Sequence, residues 1–425
     1  MIVSIPKGTK DILPAEIYRW HWLEESFRSC CARYGFAEIR TPVFEHTELF
    51  KRGVGDTTDI VQKEMYTFEL AGRSLTLKPE GTSPVVRAYI ENKLYAEPMP
   101  AKYYYDIPCF RYEKMQKGRQ RQFHQFGVEI FGTDNMLADA EVIALAMDYL
   151  GGLGIDDLSL RINSIGCPDC RSGYKKALQD YLRPGLDRLC ETCKDRFDRN
   201  PMRILDCKSP VCKEIGREAP RMMDYLCDDC RNAFEELKEN LSALSIPFLI
   251  DTNIVRGLDY YTKTAFEIVS DKIGAQSTVC GGGRYDHLIQ EIGGPPTPGV
   301  GFGMGIERLL LVLEAAGRQI PKPDVCDVFI AGLGKTARAQ ALKTAQSLRR
   351  SGWKVITDVM DRNLKAQLKY ADRVEASYTL IIGQDELDKG VVTLRDMKRS
   401  TQSEVKIEEI EAAIRRSGGS NGNSL

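Results

Sequence analysis

The chain has 425 residues, 43% hydrophobic and 28% charged, with a formal net charge of −1. That length supports two or three domains with substantial cores, and the near-neutral balance excludes a generally basic nucleic-acid coat, so nucleic acid must be held by local contacts or by shape. No apolar run approaches the roughly 20 residues that span a bilayer, no signal-peptide core is present, and the 13 cysteines of what reads as a cytoplasmic protein are expected to be free, buried or metal-bound.

Pro14 to Tyr34 reads as an amphipathic helix, with Ile17, Leu23, Phe27, Cys30, Cys31 and Tyr34 near one face and Gly35 as its stop. The extended segment Ala37–Glu45 is interrupted by Pro42, which has no ladder donor and places it at an edge or an interface. Residues 49–70 are polar and Gly-containing, then strand-like. Ser74–Pro84 is a short alternating strand entering a turn, where Glu80 lies between Pro79 and Gly81. Such a glutamate is either presented to a ligand or merely solvated. Val85–Leu94 reads as helix and Lys102–Arg111 as strand.

Ile107 to Gly132 is strand, charged loop and strand. Arg111, Lys114, Lys117, Arg119 and Arg121 crowd the turn, opposed only by Glu113. This suits a polyanionic ligand, and equally a solvated hairpin tip. Asp134–Leu150 reads as helix, stopped by Gly151 and Gly152, and Leu158–Gly166 as strand.

Cys167 to Cys230 differs in character. It holds the pairs Cys167/Cys170, Cys190/Cys193, Cys207/Cys212 and Cys227/Cys230, between helix-like segments rich in charge. Their spacings match tetrahedral zinc ligation, and eight thiolates would fill two four-coordinate sites. Little apolar material separates them, which favours a metal staple. One zinc with leftover thiols, or reduced cysteines at helix ends, are the alternatives.

Phe234–Leu244 reads as helix, and residues 246–270 as two strands around the turn Arg256–Tyr261. Gly281, Gly282 and Gly283 permit close backbone approach. Gly299–Leu313 is a glycine-alternating strand that becomes a helix. Arg308 falls in that helix's first turn, where the macrodipole disfavours a cation, so an anion partner is expected unless Glu307 or Glu314 neutralises it. After a linker at Ile320–Asp324, strands and helices alternate as a small α/β domain of roughly 100 residues. Its Gly332–Thr336 stretch fails as a P-loop, since Phe329 stands where the first glycine is needed. Ser417–Leu425 reads as a disordered tail.

Arg111, Arg256 and Arg308, each at a strand end, suit phosphate recognition. The four histidines, His21, His46, His124 and His287, form no metalloprotease motif, and no hydrolase serine elbow appears. Nucleotide binding with charge stabilisation fits better.

The long ordered motifs carry a family resemblance. Phe110–Gly132 resembles motif 2 of the class II aminoacyl-tRNA synthetases in its histidyl form. Residues 256–268 resemble the histidyl signature, Gly299–Leu309 motif 3, the Pro42 segment motif 1, and Leu77–Thr82 the amino-acid loop. The resemblance implies an α+β fold: an antiparallel six-stranded sheet flanked by helices, a helical Cys-rich insertion, and a C-terminal α/β anticodon-binding domain. The implied boundaries are 1–163 and 233–323 for the catalytic core, 164–232 for the insertion, 324–416 for the anticodon domain and 417–425 for the tail.

It further implies a homodimer that activates L-histidine with ATP and Mg²⁺ and charges histidine tRNA. Arg256, Arg111 and Arg308 would be catalytic. Arg111, Glu113, Arg119 and Arg308 would bind ATP. Glu80, Gly81, Thr82, Gln125, Glu129, Tyr260 and Tyr261 would bind histidine, Glu129 and Tyr261 through the imidazole. Arg362, Lys365, Gln367 and Lys369 are candidates for anticodon contact. The paired cysteines depart from the commonest family pattern. The competing expectation is a non-catalytic, histidine-sensing regulatory paralogue.

Overall fold

The structure, a computed structural model, describes residues 3–55, 58–116, 118–205, 207, 209–254, 257–270 and 278–418. The chain divides into two compact units, Met1–Ile320 and Pro321–Leu425.

The first unit is built on an eight-stranded sheet. In chain order its elements are α1 (Ile17–Arg33), β1 (Ala37–Glu38), β2 (Phe44–His46), α2 (Thr47–Val54), β3 (Tyr66–Leu70), β4 (Arg73–Leu77) and α3 (Thr82–Glu91). The hairpin β5 (Ala101–Phe110) and β6 (Gln122–Phe131) follows, then α4 (Met136–Gly152) and β7 (Leu158–Ser164). The insertion carries α5 (Pro168–Leu182), α6 (Glu191–Arg199), α7 (Met202–Leu205) and α8 (Pro210–Gly216). The chain returns through α9 (Asp228–Ala243), β8 (Phe248–Ile250), β9 (Thr262–Ser270), β10 (Thr278–Arg284), α10 (Leu288–Glu291), β11 (Gly299–Gly305) and α11 (Ile306–Ala315).

The strand order is β1-β5-β6-β11-β10-β9-β7-β8. The six central strands are antiparallel, and the short edge strands β1 and β8 pair parallel with β5 and β7. β2, β4 and β3 form a separate three-stranded sheet.

Alternation along the strands separates two faces. Phe126, Val128 and Ile130 of β6 and Val300, Phe302 and Met304 of β11 enter one core with Trp20, Leu23 and Phe27 of α1, most of α4, and Leu309 and Val312 of α11. The other face carries Gln125, Gly127 and Glu129 on β6 and Gly301, Gly303 and Gly305 opposite them on β11. Only part of that second face is packed, by Val85, Val86 and Tyr89 of α3 with Tyr105, Phe131, Tyr260 and Tyr285. The remainder is open.

The insertion's core consists of Tyr174, Leu178, Leu182, Leu189, Phe197 and Ile204 with buried Cys170, Cys193, Cys212 and Cys230. α9 begins at Asp228, earlier than the apolar periodicity from Phe234 indicates, because its first turn is anchored by Cys230 rather than by a hydrocarbon.

The second unit comprises β12 (Val328–Gly332), α12 (Lys335–Arg350), β13 (Val355–Thr357), α13 (Leu364–Arg373), β14 (Tyr378–Ile382), α14 (Gln384–Lys389), β15 (Val391–Asp396), β16 (Thr401–Lys406) and α15 (Ile410–Arg416). Its sheet runs β13-β12-β14-β15-β16. β16 went unread in the sequence because it is polar and almost wholly exposed, and only its pairing with β15 defines it. Of the expected tail, residues 419–425 lie outside the described residues.

One polar contact ties the sheet to α4. Arg284, at the end of β10, and Asp139 are both fully buried. The guanidinium also donates to Asp286 Oδ1 at 3.1 Å, Thr133 O at 2.9 Å and Asn135 O at 3.3 Å. Removing one partner leaves an uncompensated buried charge. Asp139→Ala is therefore expected to cost about 3–5 kcal/mol of stability, read as a lowered denaturant midpoint of the first unit's unfolding transition.

Candidate active site

The open part of the second sheet face is a cavity of about 540 Å³, a size that accommodates a small-molecule or nucleotide ligand. Its floor is made by Gln125 of β6, Gly303 and Gly305 of β11, Thr278–Gly281 of β10 and Glu267 of β9. The glycine alternation of β11 creates this floor. A Cβ on Gly303 would lie 2.1 Å from Gln125 Nε2, and one on Gly301 would lie 1.9 Å from Glu129 Oε2. Any side chain there would collide with Gln125 and Glu129, which lie across β11 in the space the glycines leave.

One wall is the start of α3. Glu80 is 2% exposed and accepts from the backbone N–H of Thr82 and of Ser83, both at 2.7 Å. This cap is why α3 starts at Thr82 and not at Val85, since it satisfies first-turn donors that would otherwise be orphaned. Glu80 and Thr82 both line the cavity. Gly81 does not. A Cβ there would strike the Tyr105 ring at 2.4 Å, so its glycine serves close packing.

A second part of the lining is cationic. Arg111 lines the cavity, with Nε donating to Pro79 O at 2.8 Å and its guanidinium over the Phe123 ring. Arg119 lines it too, and pairs with Glu113 at 2.9 Å. Arg308 donates to Thr278 O at 2.6 Å. Burial and then the charge of Arg119 push the Arg308 pKa down, so the wall concentrates positive charge in a partly desolvated place. Not all the loop cations take part. Lys114 is exposed, and Arg121 stacks on Tyr112 at 3.8 Å, away from the cavity. Lys117 and Arg256 lie outside the described residues.

Tyr260 and Tyr261 line the third side, their rings 4.6 Å apart, with Tyr260 packed on Tyr285 at 5.5 Å. Glu129 sits behind this lining. It is fully buried and accepts from Thr82 Oγ1 at 2.8 Å and Tyr105 OH at 3.1 Å, and it bonds to Tyr285 OH. Burial pushes its pKa up to about 8, against the pull of these hydroxyl donors. Tyr105 and Tyr285 escaped the sequence reading. Tyr105 reaches the network only because β5 pairs it with Gly127, whose missing side chain admits the ring.

The sequence and fold were compared with known proteins. The family model described as histidyl-tRNA synthetase matches residues 8–169 and 206–309, and one described as anticodon binding domain matches 327–417. The chain belongs to the histidyl-tRNA synthetase family. The histidine–tRNA ligase of Caldanaerobacter subterraneus subsp. tengcongensis is 57% identical over 98% of this chain and 100% of its own. That of Acetivibrio thermocellus is 54% identical over the same shares. The fold matches the apo crystal structure of Staphylococcus aureus histidyl-tRNA synthetase with a TM-score of 0.84 at 38% identity, covering 97% of this chain and 100% of that one. Members of this family are aminoacyl-tRNA ligases, and this chain is one of them.

The matched stretches leave out most of the insertion, where the eight paired cysteines gather into two groups. Cys167, Cys170, Cys227 and Cys230 form one, and Cys190, Cys193, Cys207 and Cys212 the other, with all sulfurs of each group within 4.8 Å of one another. In the second unit, Lys365 and Lys369 are exposed. Gln367 corrects the expectation of ligand contact, because it is buried and its amide donates to Arg362 O at 2.7 Å and Gly332 O at 3.3 Å. Arg362 is paired with Asp358 at 2.8 Å and lies over the Tyr370 ring.

Glu129 supplies a pH test. The folded carboxyl holds its proton up to about pH 8, whereas the reference value is 4.5. Between those values the folded state binds the extra proton, so this group's contribution makes stability fall as pH rises. Glu129→Gln keeps the neutral form's shape without a titrating proton. Its melting temperature is expected to decline less than the wild type's between pH 5 and pH 8. Parallel declines would refute a raised pKa.

Proposed function

We propose that the chain activates L-histidine with ATP, giving histidyl-adenylate and pyrophosphate, and then transfers histidine to the 3′ end of histidine tRNA. The observation carrying this reading is a single glycine-floored cavity in which Arg111, Arg119 and Arg308 face Glu80, Thr82, Gln125 and the tyrosine pair. A cationic wall suits a triphosphate. The carboxylate, amide and hydroxyl group opposite suits an amino acid's ammonium.

In the first step a histidine carboxylate oxygen attacks the α-phosphorus, and the bond to the β-phosphate bridging oxygen breaks as pyrophosphate leaves. The nucleophile is already ionised at neutral pH, so no general base is needed, and catalysis consists of positioning and charge neutralisation. Arg111 would hold the α-phosphate, Arg256 would bridge carboxylate and α-phosphate, and Arg308 would hold the γ-phosphate. Arg119 would extend this clamp, and Glu113 would meet the adenine or ribose side. Glu80, Thr82 and Gln125 would receive the α-amino group. Glu129 at the closed end and Tyr261 would bond the imidazole nitrogens, with Tyr260 packing beside them and Gly81 giving Tyr105 room. A site that pairs both nitrogens rejects isosteres by leaving buried polar groups unsatisfied. Glu267, a carboxylate on the cavity lining, fits Mg²⁺, which would screen the triphosphate's charge. In the second step the tRNA hydroxyl attacks the activated carbonyl and AMP leaves.

The same reading assigns 1–163 and 233–323 to the catalytic core, 164–232 to the insertion and 324–416 to anticodon binding. It makes the protein cytoplasmic, in keeping with the absence, among the described residues, of a helix long and apolar enough to cross a membrane. A homodimer formed through the Pro42 segment is supported by the apolar side chains Val43, Phe44, Phe68 and Leu70, exposed on and beside the small sheet β2-β4-β3. Zn²⁺ in the two cysteine groups completes the reading. The alternative of a histidine-sensing regulatory subunit has no specific observation in its favour.

Histidine-dependent ATP–pyrophosphate exchange tests this. Arg111→Ala and Arg256→Ala are each expected to lower the exchange rate by about 10²–10³-fold with a much smaller change in histidine affinity. Exchange that proceeds equally with other amino acids, or that survives both substitutions, would overturn the assignment.

A further inference from the structure

The two cysteine groups have the build of metal sites. Tetrahedral ligation at a Zn–S distance of about 2.3 Å separates sulfurs by about 3.8 Å. Cys190 and Cys207 sulfurs are 3.8 Å apart, and those of Cys167 and Cys170 are 3.5 Å apart. Backbone N–H groups point at these sulfurs: Cys227 N–H to Cys170 at 3.1 Å, Cys190 N–H to Cys212 at 3.4 Å and Ser209 N–H to Cys207 at 3.5 Å. Donors so placed favour thiolate over thiol, as metal-bound sulfur requires. Cys167, Cys190 and Cys227 also stand at the N-caps of α5, α6 and α9, where the helix dipole favours negative charge.

The groups are nested in the chain and serve different places. The outer group joins the insertion's first helix, α5, to its exit helix, α9. The inner group brackets α6 and α7. These short helices reach the walls of the cavity. Arg196 of α6 pairs with Asp59 at 2.6 Å, with Arg203 of α7 at 3.7 Å from the same oxygen. Asn200, between them, donates to Asp259 at 2.9 Å. Asp59 immediately precedes Ile60, and Asp259 lies between Leu258 and Tyr260, all three of these neighbours lining the cavity. The two loops are also locked to each other, since Asp259 N–H donates to Val54 O and a Cβ on Gly55 would lie 2.7 Å from the Asp259 carboxylate.

We infer that the inner four-thiolate site, holding a thiophilic tetrahedral cation such as Zn²⁺, sets the position of the cavity loops at Asp59–Ile60 and Leu258–Tyr261 through Arg196 and Asn200. Metal occupancy and histidine activation are thereby coupled. The inference rests on the metal reading above. Without the ion, α6 and α7 keep the apolar core that Phe197 and Ile204 share with Tyr174, Leu178, Leu182 and Leu189, but lose the link that joins Cys190 and Cys193 to Cys207 and Cys212. Their grip on the two aspartates loosens, and the histidine end of the cavity loses its fixed wall. Arg196 is a positioning residue here, since it touches the loop and not the substrate.

The test uses the full chain loaded with Zn²⁺ alone, with metal counted by elemental analysis and activity followed as histidine-dependent exchange. Wild type is expected to hold two ions, Cys193→Ser one. Cys193→Ser should lose about ten- to hundredfold in kcat/KM for histidine, the size that displaced positioning groups produce, while the first unit's melting transition is retained. Arg196→Ala should hold both ions and show a loss of the same order, carried by histidine KM more than by ATP KM. Combining the two should add little, because they break one connection. Should Cys193→Ser fail to fold, wild type stripped of metal by a chelator and compared with the Zn²⁺-loaded chain carries the metal arm of the test, beside Arg196→Ala. Unchanged kinetics in Cys193→Ser holding one ion, and in Arg196→Ala holding two, would overturn the coupling and leave the metal reading standing. A chain that takes up no Zn²⁺ yet exchanges at full rate would overturn both.

Discussion

The site depends on the twofold alternation of one strand. β11 must cover a hydrophobic core on one face and leave a hollow on the other, and a strand does both only if every second residue has no side chain. Val300, Phe302 and Met304 supply the covered face, while Gly301 and Gly303 make room for the side chains of Glu129 and Gln125, and Gly303 and Gly305 line the hollow. A glycine-rich strand is intrinsically weak, losing entropy and packing. β11 tolerates this because it lies between β6 and β10, where neighbours on both sides satisfy its ladder, and because its other face is buried.

The rest of the second face is set by polar anchors that are structural and functional at once. Glu80 ends a turn, starts α3 and stands on the cavity wall, so its carboxylate is fixed before a ligand arrives. Glu129 holds Thr82, Tyr105 and Tyr285 together from behind that wall. The residues expected to meet the amino acid are thus held by buried hydrogen bonds, which are strong in a low-dielectric place when every member is satisfied. Preorganisation of this kind keeps the cost of ordering the site out of the reaction.

Residues whose place on the cavity lining follows from local chain chemistry were legible in the sequence. Glu80 beside glycine and proline, Arg111 at a strand end, Arg308 in a first helical turn and the glycine alternation of β11 all signal themselves within a few residues. What escaped depends on register across strands. Tyr105 enters the Glu129 network because it pairs with Gly127, and Tyr285 because β10 and β11 meet there. The grouping of the cysteines escaped for a related reason. Spacing identifies pairs, but the joining of the first pair to the fourth and the second to the third is a property of the folded insertion. Gln367 shows the opposite error. A polar residue on a charged helix reads as surface, yet here its amide serves buried carbonyls.

Arg308 combines a local signal with its surroundings in the fold. It occupies a helix first turn, where the dipole is unfavourable to it, and it is partly buried near Arg119, which pushes its pKa down further. Its guanidinium donates to Thr278 O. Glu113 and Glu267 pull the other way. Glu113 is itself tied to Arg119, and Glu267 accepts from Thr278. A polyanion entering beside Arg308 gains from the helix N-terminus, from Arg119 and from Arg111 together. In the proposed reading, a triphosphate is the ligand that this grouping of cations would favour.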